Sequence, residues 1–176
     1  MIRRNQHLIK LVLFAMYAAL LFVSKITFEA LPNIHPLSML IMTFAVVYRF
    51  EALIPVFVYV FINGLFSGFN IWWIPYLYLW PIQCIITALI PSKISPKIAA
   101  FVYPVLCALF GFTFGALYAP AQAIMFGYTP AQTLAWILSG IKFDVIHGVS
   151  NFFMGMLVLP LSLVIKQLHR SMKIKI

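Results

Sequence analysis

The chain has 176 residues, 64% hydrophobic and 9% charged, with a mean hydropathy of +1.04. Soluble domains are about half apolar and about a quarter charged, so a water-soluble globule is excluded and an integral membrane protein is expected. The apolar runs are continuous rather than alternating, which points to a helical bundle and away from a barrel. The net charge of +9 arises from 12 Lys/Arg against Glu29, Glu51 and Asp144. Those bases sit at the termini and in short loops, the place of cytoplasmic positive charge rather than of a nucleic-acid surface.

Met1–Lys10 carries Arg3, Arg4 and Lys10, and Leu11–Phe28 is the first predicted span. It lacks a small-residue cleavage site of the A-x-A kind, so it reads as a span and not a removable signal. Within it, Ala15-Met-Tyr-Ala-Ala19 sets small residues one turn apart, which admits close approach of another helix inside or outside the bundle. The following loop to Pro36 holds Glu29, Asn33 and His35, either ligand contacts or solvated loop groups. Spans two and three are expected at Leu37–Tyr48 and Ala52–Phe69, joined tightly by Arg49-Phe50-Glu51. Pro55 falls near a helix start, where its missing N–H matters least. Asn63, Gly64, Ser67 and Gly68 give that span a small, polar far end.

Asn70 leads into Trp72, Trp73, Tyr76, Tyr78 and Trp80, five aromatics in nine residues. Such side chains favour the membrane interface, and flat ligands stack on them; different members of the cluster can serve each role. The fourth span is expected at Pro81–Ile90 after an interfacial stretch at 72–80, and a basic turn with Lys93 and Lys97 follows. The fifth, Ile98–Tyr118, has a kink at Pro104 and close-packing points at Gly111 and Gly115. Ala119–Pro130, with Gln122 and Tyr128, reads as a long loop. Thr129 and Pro130 then cap and open a short helix through Ser139, and the sixth span runs from about Phe143 to Leu168. Cys84 and Cys107 lie inside apolar runs and read as fillers.

With six spans both termini share a side, and that side collects Arg3, Arg4, Lys10, Arg49, Lys93, Lys97, Lys166, Arg170, Lys173 and Lys175. Only Lys25 and Lys142 fall opposite, so the termini are expected in the cytoplasm.

The segment Leu138–Pro160 is apolar enough to cross a bilayer yet carries Lys142, Asp144, His147, Ser150 and Asn151. On a helix, Asp144, His147 and Asn151 share one face, and ionisable groups at membrane depth face a protein interior or a cavity. Pairing of Asp144 with His147 or with Lys142 is the structural alternative. With Asn33, His35, Asn70, Trp72, Trp73, Tyr76, Gln122 and Tyr128, these residues converge on the outer end of the bundle. A mostly apolar cavity with few placed polar groups is the form of a small-molecule site. No equivalent polar set crosses the inner half, which favours a capture cup over a channel. P-loop, nucleophile-elbow and His-Glu-x-x-His patterns are all missing. A triad of Ser139, Asp144 and His147, or zinc on His35 and His147 with Glu29 or Asp144, is only weakly suggested, so neither enzyme activity nor a cofactor is expected.

On its length, six expected spans, the alanines of Ala15–Ala19 and Phe143-Asp144-x-x-His147-Gly148-x-x-Asn151, the whole chain resembles the substrate-binding (S) components of bacterial energy-coupling factor (ECF) vitamin transporters. The resemblance implies a multi-pass protein of the bacterial plasma membrane, 1–176 forming one membrane domain. It implies capture of a vitamin or similar micronutrient outside and release inside after docking on a module of one membrane coupling (T) protein and two cytoplasmic ATPases. It maps Ala15 and Ala19 onto that docking contact. The long first and fifth loops and the aromatic cluster give a look similar to the cobalamin-specific members, with pantothenate and riboflavin next. A self-sufficient transporter or channel, and an intramembrane enzyme, are the alternatives.

Overall fold

A computed structural model describes residues 2–31 and 33–172, with side chains from Gln6 onward. The side chains of Arg3 and Arg4, and all of Pro32, Lys173 and Lys175, lie outside the described residues. Every regular element among the described residues is helical: α1 (Ile2–Thr27), α2 (Leu37–Tyr48), α3 (Leu53–Ser67), α4 (Tyr76–Leu89), α5 (Pro96–Phe112), α6 (Phe114–Phe126), α7 (Pro130–Gly155) and α8 (Val158–Ser171). One-turn 3-10 segments at Arg49–Ala52 and Ile71–Trp73 precede α3 and α4.

Four helical stretches are long and apolar enough to cross a membrane: Gln6–Thr27, Leu37–Ser67, Ile71–Leu89 and Pro96–Phe126. Pro130–Gly155 with Val158–Ser171, bent by 41°, makes a fifth. Large apolar side chains such as Leu11, Phe66, Phe101 and Ile124 are exposed on the outside, the arrangement a lipid solvent favours.

Side-chain contacts give the helix directions. Along α1, Lys10 pairs with Glu51, Phe14 packs on Tyr48 and Phe44, and the Tyr17 hydroxyl donates to the Leu40 carbonyl. Higher on α1, Phe22 meets Phe66, their rings 5.2 Å apart. The apolar stretch Leu37–Ser67 therefore reverses between its halves: α2 runs antiparallel to α1 and α3 parallel to it. The turn sits at Arg49, which has φ 57° and whose guanidinium donates to the Ile90 carbonyl at 2.6 Å. In α4, Trp80 lies near His35, the Gln83 amide donates to the Ser38 carbonyl, and Ile90 lies beside Arg49, so α4 runs with α2. In α7, Asp144 meets Gly115, Gly148 meets Gly111 and Gly155 meets Pro104, so α7 is antiparallel to α5 and α6. At the foot of α8 the Tyr48 hydroxyl donates to His169 Nε2, because Nδ1–H is committed to the Ile165 carbonyl.

The α5–α7 seam is built on glycines: Gly111, expected to pack closely, and Gly148 and Gly155, which were not singled out as packing points. A Cβ at Gly111 would lie 2.7 Å from Gly148 Cα, and one at Gly155 would lie 2.7 Å from Pro104 Cα. Small residues let backbones approach where lipid offers no hydrophobic push. Thr129 caps α7 with Pro130 in the first turn, as the sequence predicts, and Gln132 completes a reciprocal box.

Several boundaries differ from the sequence expectation. Ala119–Pro130 is not a long loop: α6 continues through Pro120 and Gln122 to Phe126, and Gly127 closes it in the left-handed conformation at φ 66°. The expected fifth span lies within the helical stretch Pro96–Phe126, in which the single turn residue Thr113 separates α5 from α6. No break separates a short helix ending at Ser139 from a span starting at Phe143; α7 passes through both, and the break comes after Gly155. Ser139 Oγ donates to the Trp136 carbonyl and stays within the helix it was expected to end. The fourth helix starts at Tyr76, so only Trp72 and Trp73 of the aromatic cluster lie in the preceding turn.

Candidate functional site

Toward the end of the bundle away from Lys10, the α1–α2 connection borders a cavity of about 200 Å³ together with α3, α4, α6 and α7. Lys25, Glu29, Asn33 and His35 line it from above, Tyr59 from α3, Tyr76 and Trp80 from α4, Phe114 from α6 and His147 from α7. Asn33 adopts φ 60°, an uncommon conformation that asparagine tolerates best among non-glycine residues, and turns the connection inward.

The two imidazoles meet face to edge, centroids 5.0 Å apart at 64°. Phe114 lies 5.0 Å from His147 and Trp80 lies 6.3 Å from His35. Five polar atoms on lining residues are buried without a hydrogen-bond partner: His35 Nδ1, Tyr59 Oη, Trp80 Nε1 and both ring nitrogens of His147. His147 is 1% exposed, Tyr59 0% and Trp80 2%. A buried polar group left unmatched costs about 1–3 kcal/mol, so such a concentration signals a ligand or ordered water. Burial holds the His35 pKa down to about 4, and nearby Lys25 pushes the same way. The loop imidazole is therefore neutral at pH 7, with one donor and one acceptor nitrogen. The charges above it offset each other, Lys25 Nζ lying 3.9 Å from Glu29.

One turn deeper, Asn151 donates to Ser38 Oγ at 3.2 Å and to the Cys107 carbonyl at 3.1 Å. Gln83 joins this buried layer through the Ser38 carbonyl. Below it, Met39, Met42, Val46, Cys107 and Val158 pack as an apolar plug. The polar column thus reaches farther inward than its sequence suggests; deeper still, the buried Thr43 and Thr87 hydroxyls bond to carbonyls of their own helices.

Of the residues singled out from sequence, Asn33, His35, Tyr76 and His147 meet at the cavity. Asn151 lies directly beneath and ties α7 to α2 and α5. Asp144 accepts from the Gly115 amide at 3.0 and 3.2 Å, capping the first turn of α6 from a neighbouring helix. It pairs with neither His147 nor Lys142, whose ammonium sits over the Phe143 ring. Trp73 donates to the Val60 carbonyl and packs on Phe69. The Trp72 carbonyl accepts from Tyr118, and its ring lies near Lys25 and Tyr76. Asn70 is exposed, Gln122 is half-buried on α6 and Tyr128 stacks on Phe126; none of the three lines the cavity. Tyr59 and Phe114 were missed. Tyr59 and Asn63 stand one turn apart in an otherwise apolar run, and that spacing was the available signal.

Ala15 and Ala19 are exposed on α1, while Tyr17 and Ala18 turn inward. Ala19 borders an apolar groove of about 520 Å³ between α1, α2 and α8. Cys84 and Cys107 are free and buried, and no three His, Cys, Asp or Glu converge among the described residues.

The chain matches no family model, no curated protein and no solved structure.

Proposed function

We propose that this chain is the substrate-capturing subunit of an ATP-driven micronutrient uptake system, of the S-component kind its sequence resembles, in a bacterial plasma membrane. The observation that carries the reading is the cavity at one end of an apolar helical bundle, where Tyr59, Trp80 and His147 are buried with unmatched polar atoms. Such a site binds a small molecule and lets it go no farther, because the apolar plug beneath Asn151 gives no through path. The pattern of helix directions supports six crossings: α1, α2, α3 and α4 singly, then α5 with α6 and α7 with α8. That count puts both ends of the described chain on the Lys10 side. Arg49, Ser92 and Lys166 share a cavity there, which supports a cytoplasmic side by the positive-inside rule. Lacking any nucleotide-binding motif, the chain needs ATPase partners and a membrane coupling protein, for which exposed Ala15 and Ala19 offer a contact face. At about 200 Å³ the cavity favours a small cargo over cobalamin or riboflavin.

The test is reconstitution. In proteoliposomes the purified chain should bind solute saturably and transport nothing until the coupling protein, ATPases and ATP are added. Uptake by the chain alone would defeat the proposal. A self-sufficient transporter is the second reading, favoured by the buried Ser38–Gln83–Asn151 layer under the cavity, and the same assay decides between them.

A further inference from the structure

We infer that the cargo is a small, uncharged, planar nitrogen heterocycle carrying an exocyclic amine, amide or hydroxyl, held by Tyr59, Trp80, His35 and His147. This rests on the capture-subunit reading and deepens it. Three features of the cavity lead to it.

The first is size. At about 200 Å³ the cavity falls below the roughly 300–1,000 Å³ of drug-sized ligand pockets. That suits one substituted six-membered ring better than a fused tricyclic or a corrin ring. The second is shape. Trp80, Phe114 and Tyr76 present aromatic surface to the cavity, and ring faces and edges of this kind bind flat ligands in stacked or edge-on geometry. An open, flexible chain would fill the same volume but leave those surfaces poorly matched.

The third is the kind of polar group left without a partner. Trp80 Nε1–H only donates; Tyr59 Oη donates and accepts; a neutral imidazole presents one N–H and one lone pair. The set therefore wants a ligand edge with acceptor and donor side by side, which a ring nitrogen beside an amino or amide group supplies. Ionised ligands are disfavoured. Lys25 and Glu29, the Lys/Arg/Asp/Glu lining groups among the described residues, lie 3.9 Å apart above the cavity and offset each other. An ionised ligand would lose its hydration in return for half of a pair already matched. A carbocyclic isostere would leave the buried nitrogens unmatched, the situation in which hydrogen-bonding sites discriminate most sharply.

The experiment is calorimetric titration of the full chain in lipid nanodiscs with nicotinamide and cytosine. Benzamide serves as the isostere without a ring nitrogen; thiamine, pantothenate, riboflavin and cyanocobalamin are the charged or bulky probes. At least one of the two small heterocycles should bind, at least tenfold tighter than benzamide and than every charged or bulky probe. Trp80→Phe keeps the aromatic wall and removes the donor, and His147→Phe removes both imidazole nitrogens. Each should weaken binding about tenfold or more while thermal unfolding stays cooperative. Equal affinity for nicotinamide and benzamide overturns the inference, as does unchanged affinity in Trp80→Phe and His147→Phe. Binding of riboflavin, cobalamin, thiamine or pantothenate in preference overturns it too, yet leaves the capture-subunit reading standing. Binding of none of the probes also overturns it, and the reconstituted uptake assay then decides the wider reading separately.

Discussion

His35 and His147 reach one another from the first connection and the last long helix, and neither finds a protein partner for its Nδ1 nitrogen. The meeting closes the upper end of the bundle around the cavity.

Their junction predicts a pH response. Burial lowers the His35 pKa from 6.5 to about 4, so between those values the unfolded chain binds more protons than the folded one. Stability is full above pH 6.5, falls as the pH drops through this window, and levels off below about 4. The loss from His35 alone is up to about 3 kcal/mol, since each pKa unit corresponds to about 1.4 kcal/mol. Thermal unfolding of the nanodisc-embedded protein from pH 7.5 to 4 should track this decline, and His35→Gln should flatten it. An unchanged slope in that variant would remove His35 as its source.

Asp144 illustrates what the sequence could and could not disclose. Its place on the His147 face was legible from spacing, and so was its burden as an acid at membrane depth. Its partner was not, because the Gly115 amide is freed only by the helix break at Thr113, and Thr113 itself has no breaker beside it. Ala119–Pro130 was read as a loop, but α6 continues past Pro120 to Phe126 and closes at Gly127. The cap at Thr129 and the close approach at Gly111 were readable because each depends on residues within a turn or on a missing side chain alone. The cavity depends on four segments meeting, which no local pattern encodes, and the tryptophans show the cost: Trp73 is committed to Val60 while Trp80 is left unmatched.

Asp144 bonds the Gly115 amide and does not line the cavity, so it is expected to act on stability and not on cargo. Asp144→Ala should cost about 1–2 kcal/mol, the range for losing a helix cap, and leave ligand affinity within about twofold. Calorimetric titration and chemical unfolding of the same preparation check both. Lost binding with unchanged unfolding would return Asp144 to the ligand.

The glycines of α7 should divide sharply. At Gly155 a Cβ meets Pro104 backbone, which cannot yield, so Gly155→Val should part α5 from α7 and cost at least about 2 kcal/mol. At Gly140 a Cβ meets nothing within 4 Å, and the site is mid-helix. Gly140→Ala should be stabilising by up to about 1 kcal/mol through helix propensity. Melting temperatures of the two variants against the parent chain give the comparison. Similar losses in both would mean that backbone freedom, not the α5–α7 approach, sets the requirement for glycine.

The exposed alanines of α1 test the partner side of the proposed function without touching the cargo side. Ala15 and Ala19 are exposed to the surroundings of the bundle, and the cavity lies at the far end of α1 beyond Lys25. Replacing either with Trp adds bulk where the chain itself has nothing to displace, so folding and ligand affinity should stay as they are. A closely apposed partner helix, by contrast, would be pushed away by several ångströms, more than side-chain adjustment absorbs in a small-residue contact. Co-purification of the coupling protein and ATPases with the tagged chain should then fall at least tenfold for Ala15→Trp and Ala19→Trp. Cavity variants such as His147→Phe should co-purify normally. If the tryptophan variants assemble as well as the parent, the partner sits on another face, and the apolar groove beside Ala19 is simply filled by lipid.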